Sequence, residues 1–81
     1  MMVTSDQIES YIREGLDCEY IRVEGDDGQH FAAVVVSAGF VGKNTVQQHQ
    51  LVYKALGQRM GGEIHALSLK TYTPEAWAAQ A

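Results

Sequence analysis

The sequence is short of cysteine, proline and basic residues, and each shortage excludes something. One cysteine, Cys18, in 81 residues cannot close an internal disulfide. A disulfide-stapled secreted mini-protein is thereby excluded, and a reducing, cytoplasmic setting is expected. The single proline, Pro74, lies near the C-terminal end, so no proline-rich linker divides the chain. No apolar run approaches the ~20 residues of a membrane helix. The opening MMVTSDQIESYIREG carries acids where a signal peptide would carry bases and an apolar core, so no leader or membrane attachment is expected. Lys and Arg number six against ten Asp and Glu, a net charge of −4. Residues 1–30 are six net negative and residues 31–81 two net positive. A nucleic-acid protein usually shows a basic face, so DNA binding is demoted, though not removed.

Catalytic signatures are also missing. No serine or cysteine stands in a nucleophile motif, Cys18 has no evident base, and no glycine-rich phosphate loop with its lysine occurs. The acids of residues 24–27 read as a solvated turn rather than an acid–base pair. An enzyme is therefore not expected.

What is present is a globular composition, 46% hydrophobic and 20% charged, sized for one small domain over residues 1–81. Thr4 with Gln7 three residues on forms a capping box, and Ile8, Tyr11, Ile12 and Leu16 follow at helical spacing, with Gly15 near the end. Residues 19–24 alternate as a half-buried strand, and Gly25-Asp26-Asp27-Gly28 is a turn cluster. Residues 31–36 are apolar on both faces, which predicts a central strand. After the glycine-punctuated bend at residues 37–42, Asn44 and Gln47 cap a second helix. Val46, Tyr53, Leu56 and Met60 give its apolar stripe, Leu51, Val52 and Ala55 widen it, and Gly61-Gly62 stops it. Residues 64–70 form a third strand, with Ile64, Leu67 and Leu69 as core candidates. Thr73-Pro74-Glu75 starts a short last helix anchored by Trp77.

The order αββαβα has a tight link between the first two strands and a helical crossover between the second and third. It therefore predicts a mixed three-stranded sheet with helices on one face, an α+β two-layer fold.

Three histidines and one cysteine are the whole soft-ligand inventory. His30 opens the second strand and His65 the third, so parallel neighbours would bring both to one sheet end, about 5–10 Å apart at strand spacing. Two imidazoles are too few for a closed four-ligand site. Spacing alone reads them plainly as two partly exposed histidines beside turns, or else as half of a site that a partner completes. His49 lies among glutamines and reads as solvent-facing; Cys18 reads as a small buried thiol. Gly39-Phe40-Val41-Gly42 matches the GxxG of KH nucleic-acid modules, but it sits before a helix rather than between two. Lys43, Lys54 and His49 would be the residues of a nucleic-acid surface there.

Phe40-Val41-Gly42-Lys43, the helix over residues 47–56, Ile64-His65-Ala66-Leu67 and Thr73-Pro74-Glu75-Ala76-Trp77 resemble the BolA family, and its short bacterial members most closely. The resemblance runs from about residue 4 to residue 78. It implies the BolA-like fold, akin to the class II KH arrangement. It further implies a non-enzymatic partner of monothiol glutaredoxins that shares a bridging 2Fe–2S cluster with the glutaredoxin and glutathione. No cofactor is then expected in the isolated protein. His65 matches the family's ligand histidine before the third strand, and His30 is the residue available for the second ligand position. Some members are described as DNA-binding regulators of morphology and of stress, including acid stress. Here Gln48-His49 stands where the family often has Arg-His, which removes a phosphate contact. A homodimer is a further arrangement this reading leaves open.

Overall fold

The structure is a computed structural model, and it describes residues 3–25 and 27–80; Asp26 of the turn cluster lies outside the described residues. Helix α1 (Ser5–Gly15) starts at the Thr4–Gln7 capping box, with both reciprocal hydrogen bonds formed. Ile8 and Ile12 are its fully buried residues. Strand β1 (Tyr20–Glu24) pairs antiparallel with β2 (His30–Val36), and β2 pairs parallel with β3 (Ala66–Tyr72). The order is β1-β2-β3, so the strand that is apolar on both faces is the central one, as its sequence predicts.

Between β2 and β3 runs α2 (Thr45–Leu56), capped by the Asn44–Gln47 box. Phe40, fully buried in a short 3₁₀ turn at Ala38–Phe40, leads into it. The GxxG stretch is therefore a bend with a core anchor, not an open backbone clamp. The main core gathers Ile8 and Ile12 of α1, Val52 and Leu56 of α2, and Ile21, Phe31, Ala33 and Val35 of the sheet. Phe40 and Ile64 close it.

Four sequence expectations need correction. First, the expected stripe of α2 holds only in part: Leu56 and the flanking Val52 are buried and Met60 packs on the core, but Val46 is 64% and Tyr53 39% exposed, and the polar Gln48 takes a buried position instead. The phase is set by Gln48, a polar residue at a core position. Its Nε2 donates to the Lys43 carbonyl at 2.9 Å and the Phe40 carbonyl at 3.5 Å, and its Oε1 accepts from the Thr71 hydroxyl at 2.7 Å. A buried amide with its polar atoms satisfied is tolerated in a core, and hydrophobic periodicity cannot detect it.

Second, α2 stops at Gly57 rather than at Gly61-Gly62. Gly57 takes φ +60°, the sign that a side chain resists, and its N–H caps the Tyr53 carbonyl. Third, β3 begins at Ala66, so His65 immediately precedes the strand instead of opening it. Fourth, the helices do not share one face. Tyr20, Val36 and Tyr72 form one cross-sheet row, turned by strand alternation away from the row of Ile21, Val35 and Thr71. Helix α3 (Pro74–Gln80) lays Trp77 on that row, with ring centres 5.0 Å from Tyr20 and 5.3 Å from Tyr72. Val36 beneath is fully buried yet outside the main core cluster.

Gln48 ties the bend, α2 and β3 together, so its removal should be felt globally. Gln48→Ala strands the Thr71 hydroxyl and two carbonyls, at an expected cost of about 1–3 kcal/mol. Urea unfolding should show it as a lower midpoint with an unchanged slope; an unchanged midpoint would contradict the assignment.

Candidate metal centre

The parallel register of β2 and β3 places His30 opposite Ala66, one residue after His65. The two imidazoles consequently meet at one end of the sheet, with ring centres 6.1 Å apart and planes at 88°. Both residues are exposed, the His30 side chain at 68%. Two imidazoles bound tetrahedrally to one metal at about 2.1 Å would have ring centres about 5 Å apart. The observed pair stands about 1 Å wider than that, a gap that side-chain rotation can close. Among the described residues no group of three or more His, Cys, Asp and Glu could hold a metal ion. The pair alone offers two nitrogen ligands, too few for a closed four-ligand site.

Each histidine stands on a defined support. His65 follows a tight loop in which Ile64 N–H donates to the Arg59 carbonyl at 2.9 Å and Gly61 N–H to the Ile64 carbonyl at 2.9 Å. Ile64 itself is fully buried. The Arg59 guanidinium lies 3.9 Å from the centre of the Tyr11 ring, and Tyr11 Oη donates to Glu63 at 3.4 Å. These contacts tether the loop to α1. On the other side, a Cβ on Gly25 would fall 2.7 Å from the His30 carbonyl and 2.5 Å from the Phe31 ring, so the chain needs glycine there to pass behind His30.

The turn before His30 is more ordered than its acidic sequence implies. Asp27 Oδ1 accepts the N–H groups of Gln29 at 2.9 Å and His30 at 2.8 Å, and Oδ2 lies 2.8 Å from His30 Nδ1. Sequence reading left Asp27 in a solvated turn; the missed signal was an aspartate two and three residues ahead of the amides it could accept. The backbone N–H of His30 first, then its ring and the N–H of Gln29, hold the Asp27 carboxyl well below the usual carboxylate range.

The other candidates lie elsewhere. Cys18 adjoins the Glu19 N–H that donates to the Val36 carbonyl, at the far end of β2. At about 3.3 Å per residue that is roughly 20 Å from His30. It is half-buried, its Sγ meets the Leu16 carbonyl at 3.3 Å, and burial pushes the thiol up. Lys43 and Lys54 do come together, flanking a surface groove of about 290 Å³ with Gln47, Gln50 and Leu51. His49 is not among those lining residues and is half-buried rather than solvent-facing.

The profile of BolA-like proteins matches residues 9–76. The acid stress protein IbaG of Escherichia coli is 36% identical over 75 residues, covering 91% of this chain and 88% of that one. The DNA-binding transcriptional regulator BolA of Haemophilus influenzae is 47% identical over 51 residues, 63% of this chain. That stretch spans only half of the regulator's length.

Among solved structures, a BolA homologue from Coxiella burnetii superposes with a TM-score of 0.82 at 46% identity, covering 95% of this chain and 99% of that one. Yeast Fra2 superposes at 0.78 with 35% identity, covering 96% and 87%. The three helices and mixed sheet are thus those of a known α+β class, and the chain belongs to the BolA-like family. The members named above are a regulator, an acid stress protein and BolA-like proteins, and none is named as an enzyme.

The Asp27 contacts carry a pH signature. The unfolded carboxyl titrates near ~3.9, and the folded one lower, so its contribution to stability is complete above about pH 5 and lost as pH falls towards the folded value. The stability difference between the wild type and Asp27→Ala should therefore shrink below about pH 4 in urea titrations. A difference that grew as pH fell below about 4 would contradict the contacts.

Proposed function

We propose that this protein binds one iron of a 2Fe–2S cluster through His30 and His65 while a monothiol glutaredoxin, with glutathione, holds the other through thiolates. The observation that carries this reading is the exposed imidazole pair with ring centres 6.1 Å apart and no third ligand from the described residues beside it. In a 2Fe–2S cluster each iron takes two protein ligands besides the bridging sulfides, so two imidazoles are a full set for one iron. A histidine-ligated iron opposite a thiolate-ligated one raises the reduction potential above that of an all-thiolate cluster. This chain offers no thiolate at the pair, because Cys18 lies at the other end of the sheet. The cluster is cargo held in common, and the role is iron–sulfur assembly, trafficking or iron and redox regulation.

The reading is checked by titrating the protein into cluster-loaded monothiol glutaredoxin while following visible absorption and circular dichroism. A saturating spectral change is expected at equimolar protein, and it should be lost or strongly altered with His65→Ala or His30→Ala. Cys18→Ser should leave it intact. Spectra that ignore both histidine changes would overturn the ligand assignment.

A second reading, DNA binding by the KH-like surface, draws on the groove between Lys43 and Lys54 and on the name of the Haemophilus relative. Two cations on a chain of net charge −4 give it weak electrostatic support. A gel shift at low salt that weakens in Lys43→Ala and Lys54→Ala would favour it, and no shift at low salt would remove it.

A further inference from the structure

The two histidines are not equivalently prepared. Among the described residues, His30 is the one histidine paired with a carboxylate. The pairing is part of a larger arrangement, because Asp27 spends Oδ1 on two backbone N–H groups and turns Oδ2 to His30 Nδ1 at 2.8 Å. An ionised carboxylate only accepts hydrogen bonds, so the proton in the Oδ2–Nδ1 contact belongs to the ring. A neutral imidazole carries one proton; with it on Nδ1, the lone pair is on Nε2. In metal sites a carboxylate behind a histidine fixes the tautomer and raises ligand basicity in this manner.

We propose that Asp27 is a positioning residue that holds neutral His30 as the Nδ1–H tautomer and assigns Nε2 as its metal-binding atom. The tautomer stands on the geometry alone, and the metal-binding step rests on the ligand reading given above. The contact asks little of stability, since it lies at the surface. Its effect falls on which nitrogen is free. His65, whose ring meets His30 edge-on, has no carboxylate paired with it among the described residues.

The test separates positioning from mere support of the turn by comparing two substitutions. Asp27→Asn keeps a carbonyl oxygen for the backbone N–H groups of Gln29 and His30 but replaces Oδ2 with an NH₂ that donates. His30 Nδ1 must then accept, and the proton moves to Nε2. Asp27→Ala removes both functions. Long-range ¹H–¹⁵N spectra of the free protein at about pH 8, above the usual imidazole titration, should show His30 protonated on Nδ1 in the wild type. They should show it protonated on Nε2 in Asp27→Asn. A wild-type His30 protonated on Nε2, or an unchanged tautomer in Asp27→Asn, would overturn the proposal.

In the cluster-bridged complex with glutaredoxin, Asp27→Asn should lose cluster about 10-fold faster or more, the scale of changes behind a metal-bound histidine. If His30→Ala alters the cluster spectrum but Asp27→Asn leaves spectrum and retention unchanged, the assignment of Nε2 to the metal fails. If His30→Ala itself leaves the spectrum unchanged, the ligand reading fails instead, and the free-protein spectra still judge the tautomer.

Discussion

The parallel pairing of β2 with β3 is the constraint on which the remainder of the structure depends. It brings together segments more than thirty residues apart and sets His30 opposite Ala66, hence beside His65. The register is held from both faces at once. Phe31, Ala33 and Val35 are buried in the main core on one side, and Val36 is buried on the other, on the face where Trp77 packs. A slip of one residue would exchange the two faces of β2, exposing the core set and carrying His30 away from its partner. Hydrogen bonds at both strand ends, from Ala66 N–H to the Gln29 carbonyl and from Ser37 N–H to the Tyr72 carbonyl, pin the same alignment.

That alignment gives the sheet a closed end and an open one. At the closed end Tyr20, Val36 and Tyr72 lie in one row with Trp77 packed on its two tyrosine rings, and the buried Ser37 donates to the Asp17 carbonyl at 2.6 Å. At the open end the His30 and His65 rings stand exposed, each on backbone tied down by local hydrogen bonds. Under the proposed function, rigid support beneath an exposed pair of imidazoles suits a protein that shares a metal group with a partner better than one that encloses it. The surface position also keeps the cost of assembly low, because neither imidazole has to be desolvated before the partner arrives.

Much of this was legible in the sequence because the signals are local. The capping boxes at Thr4–Gln7 and Asn44–Gln47 and the Thr73–Pro74 start each occupy four residues or fewer, and each forms as read. Centrality of β2 was legible from its uninterrupted apolar run, and the histidine pair followed from topology. The misreadings come from interactions made at a distance. Gln48 hides the inward face of α2 because it is polar, and the Thr71 hydroxyl that helps satisfy it lies on a distant strand. Nothing local to Trp77 says which face of the sheet it covers. Asp27 is exposed, as a solvated turn requires, but its bonds to Gln29 and His30 depend on how the turn folds and were not legible.

If His30 and His65 ligate the same shared cluster, the reduced cluster must feel both imidazole nitrogens. The most direct measurement is pulsed electron paramagnetic resonance of the reduced cluster, bridged between glutaredoxin and this protein labelled with ¹⁵N at histidine. Two ¹⁵N couplings of ligand strength are expected, one lost in His30→Ala and the other in His65→Ala. A reduced cluster in the bridged complex with no strong histidine coupling, or with couplings that survive both substitutions, would contradict it.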